Sequence, residues 1–297
     1  MVLRRPATCQ DFGPPRSEFA GTPQPASRAD VTWPLVLVLL PPSETKSPGG
    51  SGAPLDLDSL SSPSLTPVRA QLVDALVALA DDRPAARAAL GLSEQQDGEI
   101  ARNAALLGAA TAPALERYTG VLYDALDVRS LTKAGRARAA ARLAVGSALF
   151  GLVRDGDRIP AYRLSAGSQL PGLPTLRALW KPALSSVLAD VDDLVVDLRS
   201  GSYAALAPVP GAVTVTVLSE RPDGSRAVVS HFNKAHKGRL ARFLATTTAE
   251  PSDVGRLRAL LRRNGFTVEH HGGTALTLVV PADQVVTTRA QRGNLAG

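Results

Sequence analysis

A chain of 297 residues with 44% apolar and 20% charged residues can bury a full core, as one large domain or two modest ones, and reads as one. Its longest strongly apolar run, residues 35–40, falls far short of the roughly 20 residues that cross a bilayer, and its single cysteine, Cys9, permits neither an internal disulfide nor a multi-cysteine zinc site. These features exclude membrane-spanning and disulfide-scaffold classes and suit a reducing cytoplasm, while a net charge of +6 and a pI near 9.9 favour polyanionic partners.

Residues 1–33 are rich in Pro, Ser, Ala and Arg without apolar periodicity, which predicts a disordered extension. Arg4 and Arg5 imitate a secretory leader, but the prolines and polar residues that follow occupy the place of its apolar core. A strand over 35–40 stops at Pro41 and Pro42 and empties into "SETKSPGG". Lys46 and Ser47 stand in the order of a nucleotide-phosphate loop, but its glycines must precede the lysine, and Gly49 and Gly50 follow it. After a loop over 48–63, Val68, Leu72, Leu76 and Leu79 form a helical stripe, and Leu106, Leu107 and Leu115 continue the helical reading past an interruption at Pro113. Residues 131–153, rich in alanine, read as one helix ending in the turn "RDGDR". A further helix covers 175–190 around Trp180, and residues 194–198 read as a buried strand. "AVTVTVLSE" alternates like a half-buried strand, "RPDG" turns it back into "SRAVVSHF", a basic helix follows over 234–244, and two strand-like runs close the pattern by residue 281. Hairpins mixed with strand–helix alternation point to an α+β, mixed α/β fold: one domain over 34–283 with a mixed sheet, then a flexible tail over 284–297.

Chemistry-bearing residues are sparse. His231 and His236 would diverge on one helix, and His270 and His271 would face opposite sides of a strand, so surface or core histidines fit better than a metal site. Asp192 and Asp193 read as a turn before a strand, whereas Asp197 at its end is a buried charge that wants a partner such as an arginine. On a helical wheel Leu240, Phe243 and Leu244 share one arc, and Lys234, Lys237, Arg239 and Arg242 surround it. Gly238 inside that helix signals close approach by backbone or ligand. Acid-free basic stretches at 128–153 and 231–244 fit a nucleic-acid surface and equally an ordinary solvated helix face.

Taken together, ordered segments resemble the YaaA family of bacterial peroxide-stress proteins. They are "VLVLLPPSETK", "RYTGVLYDALD", "VGSALFGLVRDGDRIPAYRLSAG", "LRALWKPALSSVL", "DLRSGSYAAL" and "HFNKAHKGRLARFL", from about Leu35 to Val280. The chain departs from the family pattern at Asp155, Ala161 and Ser165, in place of the usual Pro, the preceding residue of the Tyr-Arg-Leu run and a common Glu. The resemblance implies a cytoplasmic protein, with no assigned cofactor or metal, that limits iron-driven oxidative damage. It further implies a helix-hairpin-helix-like element, placed at the "RDGDR" turn, and a positively charged cleft for duplex DNA. Carried over, the DNA contacts are Arg154, Arg163, Lys234, Lys237, Arg239 and Arg242, and the cleft candidates are Ser43, Glu44, Lys46, Tyr123, Tyr162, Asp197, Ser200 and Tyr203. A monomer that binds DNA is the leading expectation. The rival is an enzyme that gathers Ser43, Glu44, Lys46, Tyr162, Arg163, Asp197 and Tyr203 around a phosphate- or carboxylate-bearing substrate; a scaffold for a protein partner is the third.

Overall fold

The computed structural model describes residues 36–227 and 230–282, the side chains of residues 230–232 excepted. The expected extension over 1–33 with Cys9, the tail over 284–297, and the side chains of His231 and Phe232 lie outside the described residues.

An apolar run without polar alternation belongs to a strand covered on both faces, and β1 (Val36–Leu40) is buried along its whole length. A long loop leads to α1 (Thr66–Leu79), α2 (Arg83–Leu90) and α3 (Asp97–Ala104), followed by β2 (Ala112–Pro113), α4 (Ala114–Arg117), α5 (Val121–Leu126) and α6 (Lys133–Arg142). Next come β3 (Leu143–Ser147), β4 (Gly151–Arg154), β5 (Arg158–Ile159), α7 (Leu176–Ala189), β6 (Leu194–Asp197) and α8 (Gly201–Ala204). The last part holds β7 (Val213–Glu220), β8 (Arg226–Ala227), α9 (Ser230–Thr246), α10 (Val254–Arg263), β9 (Val268–His270) and β10 (Ala275–Pro281).

Five strands run parallel in the order β3-β1-β6-β7-β10; β4 closes one edge and β9 the other, both antiparallel, and β8 folds back on β7. This is the expected mixed sheet; the hairpin expected around "RPDG" forms, and the two strand-like runs at the end of the pattern pair antiparallel as β9 and β10. The order places β1 between β3 and β6, with Val38 opposite Leu143 and Val36 opposite Leu194. From β1 the chain first goes to β3 on one side and then returns to β6 on the other. Loops leaving the carboxyl ends of β1 and β6 therefore diverge, and a crevice opens between them, as at the switch points of open α/β sheets.

Two helical expectations are corrected. The helix expected over 131–153 ends at Arg142; Leu143 is already extended, and residues 143–147 and 151–154 form a β-hairpin. The alanine-rich half obeys its propensity, but Leu143, Ala144 and Val145 are fully buried beside β1, and pairing with it overrides the helical pattern. The "RDGDR" turn thus joins strand β4 to strand β5, and no helix-hairpin-helix pairing forms there. Asp157 occupies that turn, accepting from the Arg154 amide at 2.7 Å and from the Ser61 amide at 2.7 Å. The second correction is at 105–115: α3 stops at Ala104, Leu106 is buried in a turn, Leu107 is exposed, and Leu115 sits in the single-turn α4.

Much of the basic charge is spent inside. Arg69 is fully buried and donates to the carbonyls of Phe150, Leu152 and Ser61 at 2.8–3.0 Å. Arg117, also fully buried, bonds the carbonyls of Ile159, Ala110 and Ser47. Arg142 reaches the carbonyls of Leu244 at 2.9 Å and Thr247 at 2.7 Å. A guanidinium offers five donors, so each of these satisfies several carbonyls that irregular loops and helix ends leave unpaired.

Candidate functional site

A cleft of about 740 Å³ lies at the switch point, walled by residues 41–45 after β1, residues 119–123 at the start of α5, residues 198–203 after β6, and Asn233, Lys234 and Lys237 of α9. Its walls are tied together locally. The Leu198 amide donates to Leu39 at 2.8 Å, the Ser47 amide donates to Arg117 at 2.8 Å, and the Tyr123 hydroxyl donates to the Pro41 carbonyl at 2.8 Å. Gly120 brings its wall in with a positive φ of 96°, a conformation open to glycine at little cost, 3.4 Å from the Ser43 hydroxyl as measured from where a β-carbon would stand. Hydroxyls cluster at this junction: Ser43 with Thr45 at 3.1 Å and Thr45 with Thr119 at 3.2 Å, and across the cleft Ser200 with Ser202 at 3.4 Å.

Lys46 lies just beneath. It is buried, donates to the carbonyls of Ser43 at 3.0 Å and Glu44 at 3.3 Å, and stands 4.1 Å from the centre of the Tyr162 ring. Burial, and then the nearby Arg163 guanidinium, lower its pKa to about 7; the ring face and the two carbonyls favour the ammonium and oppose that shift. Tyr162 shares a hydrogen bond of 2.9 Å with Tyr118 and another of 2.8 Å with Ser147. Burial pushes the phenols of Tyr118, Tyr123, Tyr162 and Tyr203 upward, so they act as neutral hydrogen-bond partners. These are all four tyrosines of the chain. Arg163 pairs with Glu44 at 3.1 Å, linking the loop after β1 to the segment after β5.

Asp197 has the arginine partner that its burial demands. Arg199 donates to it through two nitrogens at 2.9 and 2.7 Å and passes a third bond of 3.0 Å to the carbonyl of Ala207. The carboxylate is thereby used beneath the wall, and Arg199 lines the cleft.

Of the sequence-derived residues, Ser43, Glu44, Tyr123, Ser200, Tyr203, Lys234 and Lys237 line the cleft, Lys46 bonds the Ser43 and Glu44 carbonyls, Tyr162 stands against Lys46, Arg163 holds Glu44, and Asp197 holds Arg199. The other expected DNA contacts diverge. Arg239 is exposed on α9. Arg242 donates to the carbonyls of Leu126 and Asp127, each at 2.7 Å, capping α5. Arg154 donates to the Ala141 carbonyl at 2.7 Å near the end of α6. Lys237 donates to the Leu198 carbonyl at 3.1 Å, and burial lowers its pKa against the opposing pull of Asp197. His236 is buried in α9, and the His270 ring bonds the Gly273 carbonyl at 2.9 Å. Among the described residues no three His, Cys, Asp or Glu side chains gather to hold a metal ion.

A family model described as peroxide stress protein YaaA matches residues 36–271, the whole sheet except the last strand and every wall of the cleft. The chain belongs to the peroxide stress protein YaaA family. Among its relatives, a UPF0246 protein of Corynebacterium efficiens is 53% identical over 251 residues, covering 82% of this chain and 100% of that protein. A UPF0246 protein of Streptomyces coelicolor is 49% identical over 239 residues, covering 79% and 92%, and one from Flavobacterium johnsoniae is 30% identical over 150 residues, covering 48% and 59%.

Within this YaaA-family cleft, Thr45, Thr119, Ser202, Asn233 and Arg199 escape sequence reasoning. Each lies one to three residues from a residue that was singled out or in a quoted segment, but nothing in the spacing says that the 43–45, 119–123 and 198–203 loops meet. Only the strand order does. Tyr118 was legible as part of "RYTGVLY", though its partnership with Tyr162 and Ser147 was not.

Proposed function

We propose that this chain acts in peroxide stress by holding phosphate-bearing nucleic acid, duplex DNA foremost, across the mouth of the switch-point cleft, and so limits iron-driven oxidative damage. One observation carries the reading. Lys234 and Lys237, one turn apart on α9, face a cleft rimmed with hydroxyls. Lysine binds phosphate as a point charge and hydroxyls add donors, a combination that grips backbone without reading sequence. Among the described residues no helix is long and apolar enough to cross a membrane. Charge reversal at Lys234, an exposed position, tests this: duplex affinity should fall for every sequence alike, while the fold stays intact. Unchanged affinity would remove the reading.

A second reading, an enzyme acting on a phosphate- or carboxylate-bearing substrate, is favoured by a different observation. Ser43, Glu44 and Tyr203 line one pocket, Lys46, Arg163 and Asp197 bond residues that line it, and Lys46, its pKa lowered to about 7, stands over a hydrogen-bonded tyrosine pair. A group poised to change charge near neutral pH is what acid–base chemistry needs. Turnover of a phosphorylated or carboxylated compound that Lys46→Met abolishes would establish this reading instead.

A further inference from the structure

A cleft of about 740 Å³ lies within the roughly 300–1,000 Å³ typical of small-molecule sites, and a duplex can rest on its rim but not enter it. Something smaller fits inside. The interior is two-sided: Lys234 and Lys237 stand on the α9 wall, whereas Pro41, Pro42, Val121 and Leu122 give the facing walls an apolar surface. A free anion would use only the first side. Asn233 closes the α9 wall beside the two lysines. The position is also the one that open α/β sheets use for ligands, outside the carboxyl ends of the strands where their order reverses.

We propose that the cleft takes a single nucleotide-sized ligand, a nucleoside monophosphate, with its phosphate at Lys234 and Lys237 and its base along the apolar wall of Pro41 and Pro42. The inference rests on reading α9 as a phosphate-recognition surface and adds the chemical class that fills the space below it. Two ammonium groups and the hydroxyls of Ser200 and Ser202 suit the three terminal oxygens of a phosphate better than the two of a carboxylate. The flat faces of the base are apolar enough to cover proline rings.

Isothermal titration calorimetry of the full chain with AMP, GMP, CMP and UMP, and with adenosine and inorganic phosphate as controls, tests this. At least one monophosphate should bind at one site per chain. Lys234→Ala should weaken it about tenfold, the loss of one charge-assisted hydrogen bond. Ser202→Trp, which places an indole in the cleft from an exposed position, should abolish binding at an unchanged melting temperature. Failure of all four monophosphates, equal affinity for inorganic phosphate, or undiminished binding by Ser202→Trp would each overturn the inference. Duplex binding measured on the same samples keeps the two readings apart. Duplex binding without nucleotide binding overturns this inference alone; nucleotide binding without duplex binding supports it and overturns only the duplex reading.

Discussion

Asp197 ends β6 with its side chain 8% exposed, and the Arg199 side chain paired with it is 2% exposed. Removing one partner from such a pair leaves an uncompensated charge in a poorly solvated place. Arg199→Ala should therefore cost about 3–5 kcal/mol in urea unfolding, and Asp197→Leu combined with Arg199→Met should recover much of that loss. Lys46 gives a pH signature. Its folded pKa of about 7 lies below the ordinary 10.5, so between these values the unfolded chain holds the extra proton and stability rises with pH. Below pH 7 both states carry the proton, and the contribution is flat and unfavourable. Thermal melting of the native chain should therefore show an upward trend over pH 7–10, at most about 1.4 kcal/mol per pH unit, that Lys46→Met lacks. Equal trends in both proteins would place the Lys46 titration elsewhere.

At the scale of elements, the site depends on how α9 meets α5. A β-carbon on Gly238 would overlap the Leu122 carbonyl oxygen and stand 2.8 Å from the Ala125 side chain. Gly238→Ala should cost roughly 1–3 kcal/mol, because overpacking outweighs its better helix propensity, and should displace the residues of α5 that wall the cleft. The close approach was legible in the sequence as a glycine out of place in a helix; the identity of the approaching element was not. Arg242 separates two roles that look alike in sequence. Its bonds to Leu126 and Asp127 cap α5, so Arg242→Ala should lower the melting temperature, whereas Lys234→Glu, at an exposed position, should leave it unchanged and reduce ligand binding. The first strand, the Asp197 partner, the hairpin at "RPDG" and the last two strands were readable because local pattern and tertiary demand agree there. The β3–β4 hairpin was not, since an alanine-rich run carries helical propensity up to Arg142 and only pairing with β1 explains why it stops.

For the whole molecule, much of the basic charge is spent on internal bonds. The acid-free stretch over 128–153 looks like a polyanion footprint, but Arg138 donates to the Thr246 carbonyl at 3.1 Å, Arg142 holds the end of α9, and Arg136 grips Asp155 through two bonds of 2.6 and 2.8 Å. Sequence shows how many cations there are, not which ones find carbonyls on folding. What remains at the cleft is a short cationic face on α9, and its size sets the expected salt dependence. The measurement that tests this most directly is duplex binding by the full chain titrated with salt. With contacts from Lys234 and Lys237, the logarithm of affinity should fall against the logarithm of salt concentration with a slope of roughly −2, and Lys234→Glu should flatten it to about −1 or shallower. A slope near zero, or one that the reversal leaves unchanged, would contradict the account.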